Sequence, residues 1–135
     1  MAVSIERVRP DFLWNKPHFT NLVTSRGGRT VHLSGLVAAT AAGELVGPGD
    51  LGAQMAWIYD TIRRALALVA AGPADVVRQR VFVVGLEPGH RPIIMKAMTD
   101  FYGDDRSAAS TCVGVPSLLV EGALVEIDVT AVVDD

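Results

Sequence analysis

Two alternating stretches near the end of the chain carry polar side chains where core would be expected: Ser110-Thr111-Cys112-Val113-Gly114-Val115 and Leu124-Val125-Glu126-Ile127-Asp128-Val129-Thr130-Ala131. Strand parity puts Ser110, Cys112 and Gly114 on one face of the first, and Glu126 with Asp128 on one face of the second. Such a placement suits a small-molecule pocket. Glu126 can serve as general acid or base if burial raises its pKa. It reads equally as an ion-pair partner of Arg78 or Arg80 at an interface. Cys112 reads either as a thiol nucleophile or as a small core hydrophobe, and no sequence neighbour lowers its pKa. His18, His32 and His90 lack metal-ligand spacing and read as packing or surface residues, so neither metal nor cofactor is expected. No phosphate loop, dinucleotide fingerprint or Ser-His-Asp order is present.

The elements that must position these groups are marked by periodicity and punctuation. Ser4 to Arg7 reads as a short strand, and Pro10 and Pro17 bracket an irregular segment containing Trp14. His18 to Ser25 reads as a second strand, closed by the Gly27-Gly28 turn. Arg29 to Val37 alternates, with Val31, Leu33 and Gly35 on one face and Thr30, His32 and Ser34 on the other. Ala39 to Gly49 is a loop of small residues. Asp50 caps a helix of about five turns whose apolar stripe runs from Leu51 through Met55, Ile58 and Ile62 to Val69, stopped by Gly72-Pro73. Val76 to Val84 is a strand. A second helix starts near Pro92, buries Ile94, Ala97 or Met98, and Phe101, and ends before Gly103. Ala109 to Val115 and Leu124 to Val133 close the chain as strands.

The order β-β-β-α-β-α-β-β implies an α+β fold, a mixed sheet with both helices on one side. The opposite face is expected to carry Arg78, Arg80, Glu126, Asp128, Cys112 and Ser34. With 135 residues, half of them hydrophobic, the chain reads as one domain over 1–135 with apolar surface left for subunit contacts. A net charge of -3 makes nucleic acid the least favoured partner, and no apolar run approaches the roughly 18 to 20 residues of a membrane span. One cysteine and a start without signal-peptide character point to a reducing cytoplasm.

Thr30-Val31-His32-Leu33-Ser34-Gly35, the helix from Gln54 through Leu66, Ala70-Ala71-Gly72-Pro73-Ala74-Asp75-Val76-Val77, Val81-Phe82-Val83, Thr111-Cys112-Val113-Gly114-Val115 and Leu124-Val125-Glu126-Ile127 follow one another in a familiar order. Together they resemble the RidA family, also called YjgF/YER057c or endoribonuclease L-PSP, over nearly the whole chain. The resemblance implies a chorismate-mutase-like subunit in a homotrimer with a central barrel and three ligand clefts between neighbours. It implies hydrolysis of reactive imines and enamines such as 2-aminoacrylate, with ammonia released. It also implies roles for Ser34, Gly35, Cys112, Gly114 and Glu126 around the cleft, with Glu126 orienting water or the substrate nitrogen. Two positions depart from the pattern. Ser110 stands where the family carries the arginine that binds the substrate carboxylate, and Asn21 where it often has tyrosine. Serine offers no fixed charge. Arg106 is either a loop charge or a substitute cation. The expectation is therefore a divergent member acting on a small metabolite other than 2-aminoacrylate, with Ser110 and Cys112 shaping the pocket. A non-catalytic or regulatory metabolite-binding trimer is the alternative, and ribonuclease activity is the least favoured.

Overall fold

The computed structural model describes residues 2–103 and 106–135, leaving out Met1, Asp104 and Asp105. Its strands and α-helices run β1 (Ser4–Val8), β2 (Leu22–Arg26), β3 (Arg29–Leu36), α1 (Leu51–Ala67), β4 (Val76–Val84), α2 (Arg91–Tyr102), β5 (Ala109–Val115) and β6 (Val125–Val133). The expected element order stands. The strands divide into a four-stranded sheet, β3-β6-β4-β5, and a separate antiparallel hairpin of β1 and β2. Among the described residues only β4 and β5 run parallel, and α2 supplies the crossover that such a pair requires.

Both helices lie on one face of the sheet. Met55, Ile58 and Ile62 of α1 and Ile94 and Met98 of α2 bury themselves against Val81, Val83, Val125 and Ile127. Stacked rings join the helices, Tyr59 lying 4.6 Å from Phe101 between centroids. Asp50 caps α1 by accepting from the Ala53 amide, as expected. Gln54, fully buried, donates to the carbonyls of Gly47 and Gly122 and accepts from the Leu124 amide, tying two loops to α1.

Some boundaries and two face assignments differ from the sequence reading. Helix α1 ends at Ala67 rather than near Val69, because Ala70 turns into the left-handed region at φ 59° and the Ala71 amide reaches back to the Leu66 carbonyl. Strand β2 begins at Leu22, since Lys16 to Phe19 forms a turn and the Thr20 amide is taken by the Ala108 carbonyl. In β3, Leu33 pairs with Val129 and Leu36 with Ile127, so Ser34 and Gly35 together oppose Asp128 as a bulge. Gly35 thereby leaves the face of Val31 and Leu33. The parallel register aligns Cys112 with Val81 and Ser110 with Gln79, which moves Cys112 from the expected polar face to the helix face.

Buried Ser107 anchors the hairpin to this body. Its carbonyl accepts from Arg7 Nε and Thr20 Oγ1, and its hydroxyl accepts from Arg9.

Candidate functional site

A cleft of about 640 Å³ opens where α2, the turn after β4, the β1–β2 connection and β5 meet. Helix α2 contributes Arg91, Ile94, Met95 and Met98, the turn gives Leu86, Glu87 and Pro88, the connection gives Trp14, His18 and Phe19, and β5 gives Ser110 and Cys112. Gly114 lets the turn lie down on β5, for a Cβ there would stand 2.9 Å from Leu86 Cβ.

Ser110 ends a buried polar chain. Tyr59 and Tyr102 both donate to Gln79 Oε1 at 2.7 Å, and Gln79 Nε2 donates to Ser110 Oγ at 2.9 Å. Burial pushes both phenols above their ordinary pKa, so they remain donors at neutral pH. Serine at this position is thus held by the core.

Cys112 is exposed overall, yet burial on its inner side pushes the thiol pKa up. That disfavours the thiolate a nucleophile needs. His18 is shifted down, first by burial and then by the charges of Arg91 and Lys16. Its ring is therefore neutral at pH 7, with a buried Nδ1 that has no partner among the described residues. Glu87, which lines the cleft, faces His90 across 3.8 Å.

The residues singled out in the sequence fall into separate places. Ser110 and Cys112 line the cleft. Glu126, aligned with Phe82 on β4, occupies the opposite face of the sheet. Gly35 lies against it, for a Cβ on Gly35 would stand 2.5 Å from Glu126 Oε2, and exposed Ser34 shares the same bulge. On that outer face Arg80 pairs with Asp128 at 3.0 Å and Arg78 donates to Thr111, so neither arginine is engaged with Glu126. Asn21 does not line the cleft. It donates to the Trp14 carbonyl and so braces the connection carrying Trp14 and His18. Arg106 is exposed, outside the cleft, and its charge acts on Arg7, whose pKa falls first by burial and then by Arg106. Among the described residues the cation lining the cleft is Arg91, which the sequence reading passed over. Its signal was the Pro88-Gly89-His90-Arg91-Pro92 run between a strand and a helix, since ligands favour the loops that follow strands in βαβ units.

The sequence model of endoribonuclease L-PSP matches residues 16–133. The chain belongs to the endoribonuclease L-PSP family. A solved relative, the Rid-family protein YyfB of unknown function from Yersinia pestis, is 35% identical, with 96% of this chain and 98% of that one covered and a TM-score of 0.87. A YjgF/YER057c/UK114-family protein from Mycobacterium tuberculosis is 27% identical over 85% of this chain and 86% of its own, with a TM-score of 0.63. RidA from an Antarctic Psychrobacter shares 20% identity at a TM-score of 0.68, over 85% of this chain and 88% of its own, a likeness of fold. No curated protein matches the sequence. The α+β architecture, two helices on a mixed sheet, is the chorismate-mutase-like fold of these L-PSP relatives. Among the described residues no helix is long and apolar enough to cross a membrane.

Proposed function

We propose that this L-PSP-family protein hydrolyses an imine or enamine form of a small metabolite other than 2-aminoacrylate, in clefts completed by neighbouring copies of a homotrimer. The carrying observation is the division of polar groups between the two sheet faces. Ser110 and Cys112 line one side of the cleft, while Glu126, the acid/base candidate, faces outward on the other side of the same sheet. A copy docked by its outer face against its neighbour's cleft brings the two sets together. Water then adds to the imine carbon, Glu126 moves the proton, and cleavage of the C–N bond releases ammonia and leaves a carbonyl. Cys112, kept as thiol, shapes the pocket rather than attacking.

Ammonia release from freshly generated imines with large and small side chains tests the reading. Turnover should be weak on 2-aminoacrylate, stronger on at least one bulkier imine, and reduced roughly 10²- to 10⁴-fold by Glu126→Gln. Full turnover by the Gln variant would remove Glu126 from the chemistry. A second reading, a non-catalytic metabolite binder, is favoured by one observation: the family's carboxylate-binding arginine is replaced by Ser110, which the core holds through Gln79. Tight binding without turnover would select it.

A further inference from the structure

We infer that residues 10–15 form a flap at the cleft, latched by Asn21 and Phe19 while His18 is uncharged and released when His18 takes up a proton. Such a gate needs the cleft only as a space, whatever reaction runs in it.

The neck of the flap is held fast. Arg9 donates to the Lys16 carbonyl, to Thr20 Oγ1 and to Ser107 Oγ, and the Thr20 amide donates to the Ala108 carbonyl. Pro10 and Pro17 stiffen the chain on either side. The stretch between them is tied down far less. The Leu13 amide donates to the Pro10 carbonyl and the Asn15 side chain to the Leu13 carbonyl, both bonds internal to the flap. Phe12 is 86% exposed and Trp14 64%. Among the described residues, two polar or ring contacts fasten the flap to the chain around it. Asn21 Nδ2 donates to the Trp14 carbonyl at 2.9 Å, and the Trp14 ring tilts against Phe19 with centroids 5.5 Å apart. Trp14 and Phe19 both line the cleft, so parting them widens it.

The latched arrangement carries a cost. Among the described residues, the buried side-chain atoms without a hydrogen-bond partner are Asn21 Oδ1 and His18 Nδ1. One belongs to the latch itself. The other belongs to a ring standing edge-on to Phe19, with centroids 5.1 Å apart. A buried polar group left unpaired costs about 1–3 kcal/mol, and an open flap that admits water to both relieves it. Two arrangements of similar free energy are the condition for a switch.

A proton on His18 tips that balance. With both ring nitrogens protonated, buried Nδ1 becomes a donor with no acceptor in the latched form. Burial first, then the charges of Arg91 on α2 and Lys16 on the connection itself, hold the His18 pKa below its ordinary value while the flap is latched. Of the other titratable groups lining the cleft, Glu87 on the turn lies opposite His90, and Cys112 on β5 is kept as an uncharged thiol. Opening returns His18 toward the ordinary histidine value of roughly 6.5. The open form therefore binds the proton more tightly, and its share grows as pH falls through that value.

Trp14 and Cys112 are built-in reporters. Trp57→Phe leaves Trp14 as the one tryptophan, and Cys112 is the one cysteine. In that background, acrylamide quenching of Trp14 and modification of Cys112 by dipyridyl disulfide are followed across the ordinary histidine pKa, from about pH 8 to about pH 5.5. At each pH the Cys112 rate is divided by that of the same chain carrying His18→Phe, which cancels the titration of the thiol. As pH falls, Trp14 quenching should increase and the rate ratio should rise about threefold or more. With His18→Phe, quenching should stay flat. Asn21→Ala should raise both signals already at the upper pH, while amide exchange at Thr20 stays slow because the neck is intact. A flat ratio, an acid response that survives His18→Phe, or an unchanged signal in Asn21→Ala would each overturn the switch. So would fast exchange at Thr20, which would mean that the whole connection comes away, or a fall in oligomeric mass over the same pH range, which would assign the response to a subunit contact. Turnover is not read, so absent ammonia release sinks the hydrolase reading alone and an unresponsive flap sinks this one alone.

Discussion

A serine in the place of an arginine changes more than charge here, because Ser110 is the outer end of a relay that begins at two buried phenols. Gln79 gains three hydrogen bonds from that arrangement, and removing its side chain would leave both Tyr59 and Tyr102 unsatisfied in the core. Beside it, Cys112 titrates above the ordinary thiol range because burial disfavours the thiolate. The sign is plain: the reactive form is depleted at neutral pH and grows only as pH rises through the raised pKa. Alkylation of Cys112 by iodoacetamide should therefore be slow at pH 7, with a midpoint above the roughly 8.5 of a free cysteine. A midpoint below 7.5 would restore the thiol as a nucleophile candidate.

At the scale of elements, the most informative departure is the end of α1. Ala70 holds a left-handed conformation at φ 59°, where a Cβ is disfavoured and glycine is the usual occupant. Ala70→Gly should stabilise the fold by up to about 1 kcal/mol, the strain relieved being partly offset by the greater chain entropy of glycine. Denaturant unfolding at constant m would show it as a higher midpoint. A lower midpoint would mean that the alanine is unstrained. Element types and order were legible because Met55, Ile58 and Ile62 repeat with helical period while Val81 and Val83 alternate. The ends were harder to read, since Ala70 carries no signal of its conformation and the fate of the Thr20 amide depends on Ala108, far along the chain. Parity alone also misplaced two site residues. The bulge at Ser34 and Gly35 reverses one face, and the parallel register of β5 decides which side Cys112 takes. Both are settled by pairing with distant strands. Arg91 enters the cleft through a turn of Pro88–His90 whose direction no local pattern states.

For the whole molecule, the outer sheet face is where assembly is decided. It presents Val113 at 40% exposure, half-buried Phe82 and the Arg80–Asp128 pair, a mixture that suits a subunit contact. Light scattering at micromolar concentration should return about three times the 14.3 kDa chain mass, and Val113→Arg should lower it. A monomeric native chain would remove the trimer, and a trimeric Val113→Arg protein would move the contact to another face. Site sharing has a sharper signature. Glu126→Gln should inactivate one contribution to the cleft, and Cys112→Phe, which places a ring in it, the other. Each variant alone should be inactive. Unfolded together and refolded in equal amounts, they should recover about a quarter of native turnover, because in a cyclic assembly each site then has an even chance of an intact cleft and an even chance of an intact neighbouring glutamate. If Glu126 instead acted within its own copy, every mixed site would inherit one defect from that copy, and mixing would restore nothing.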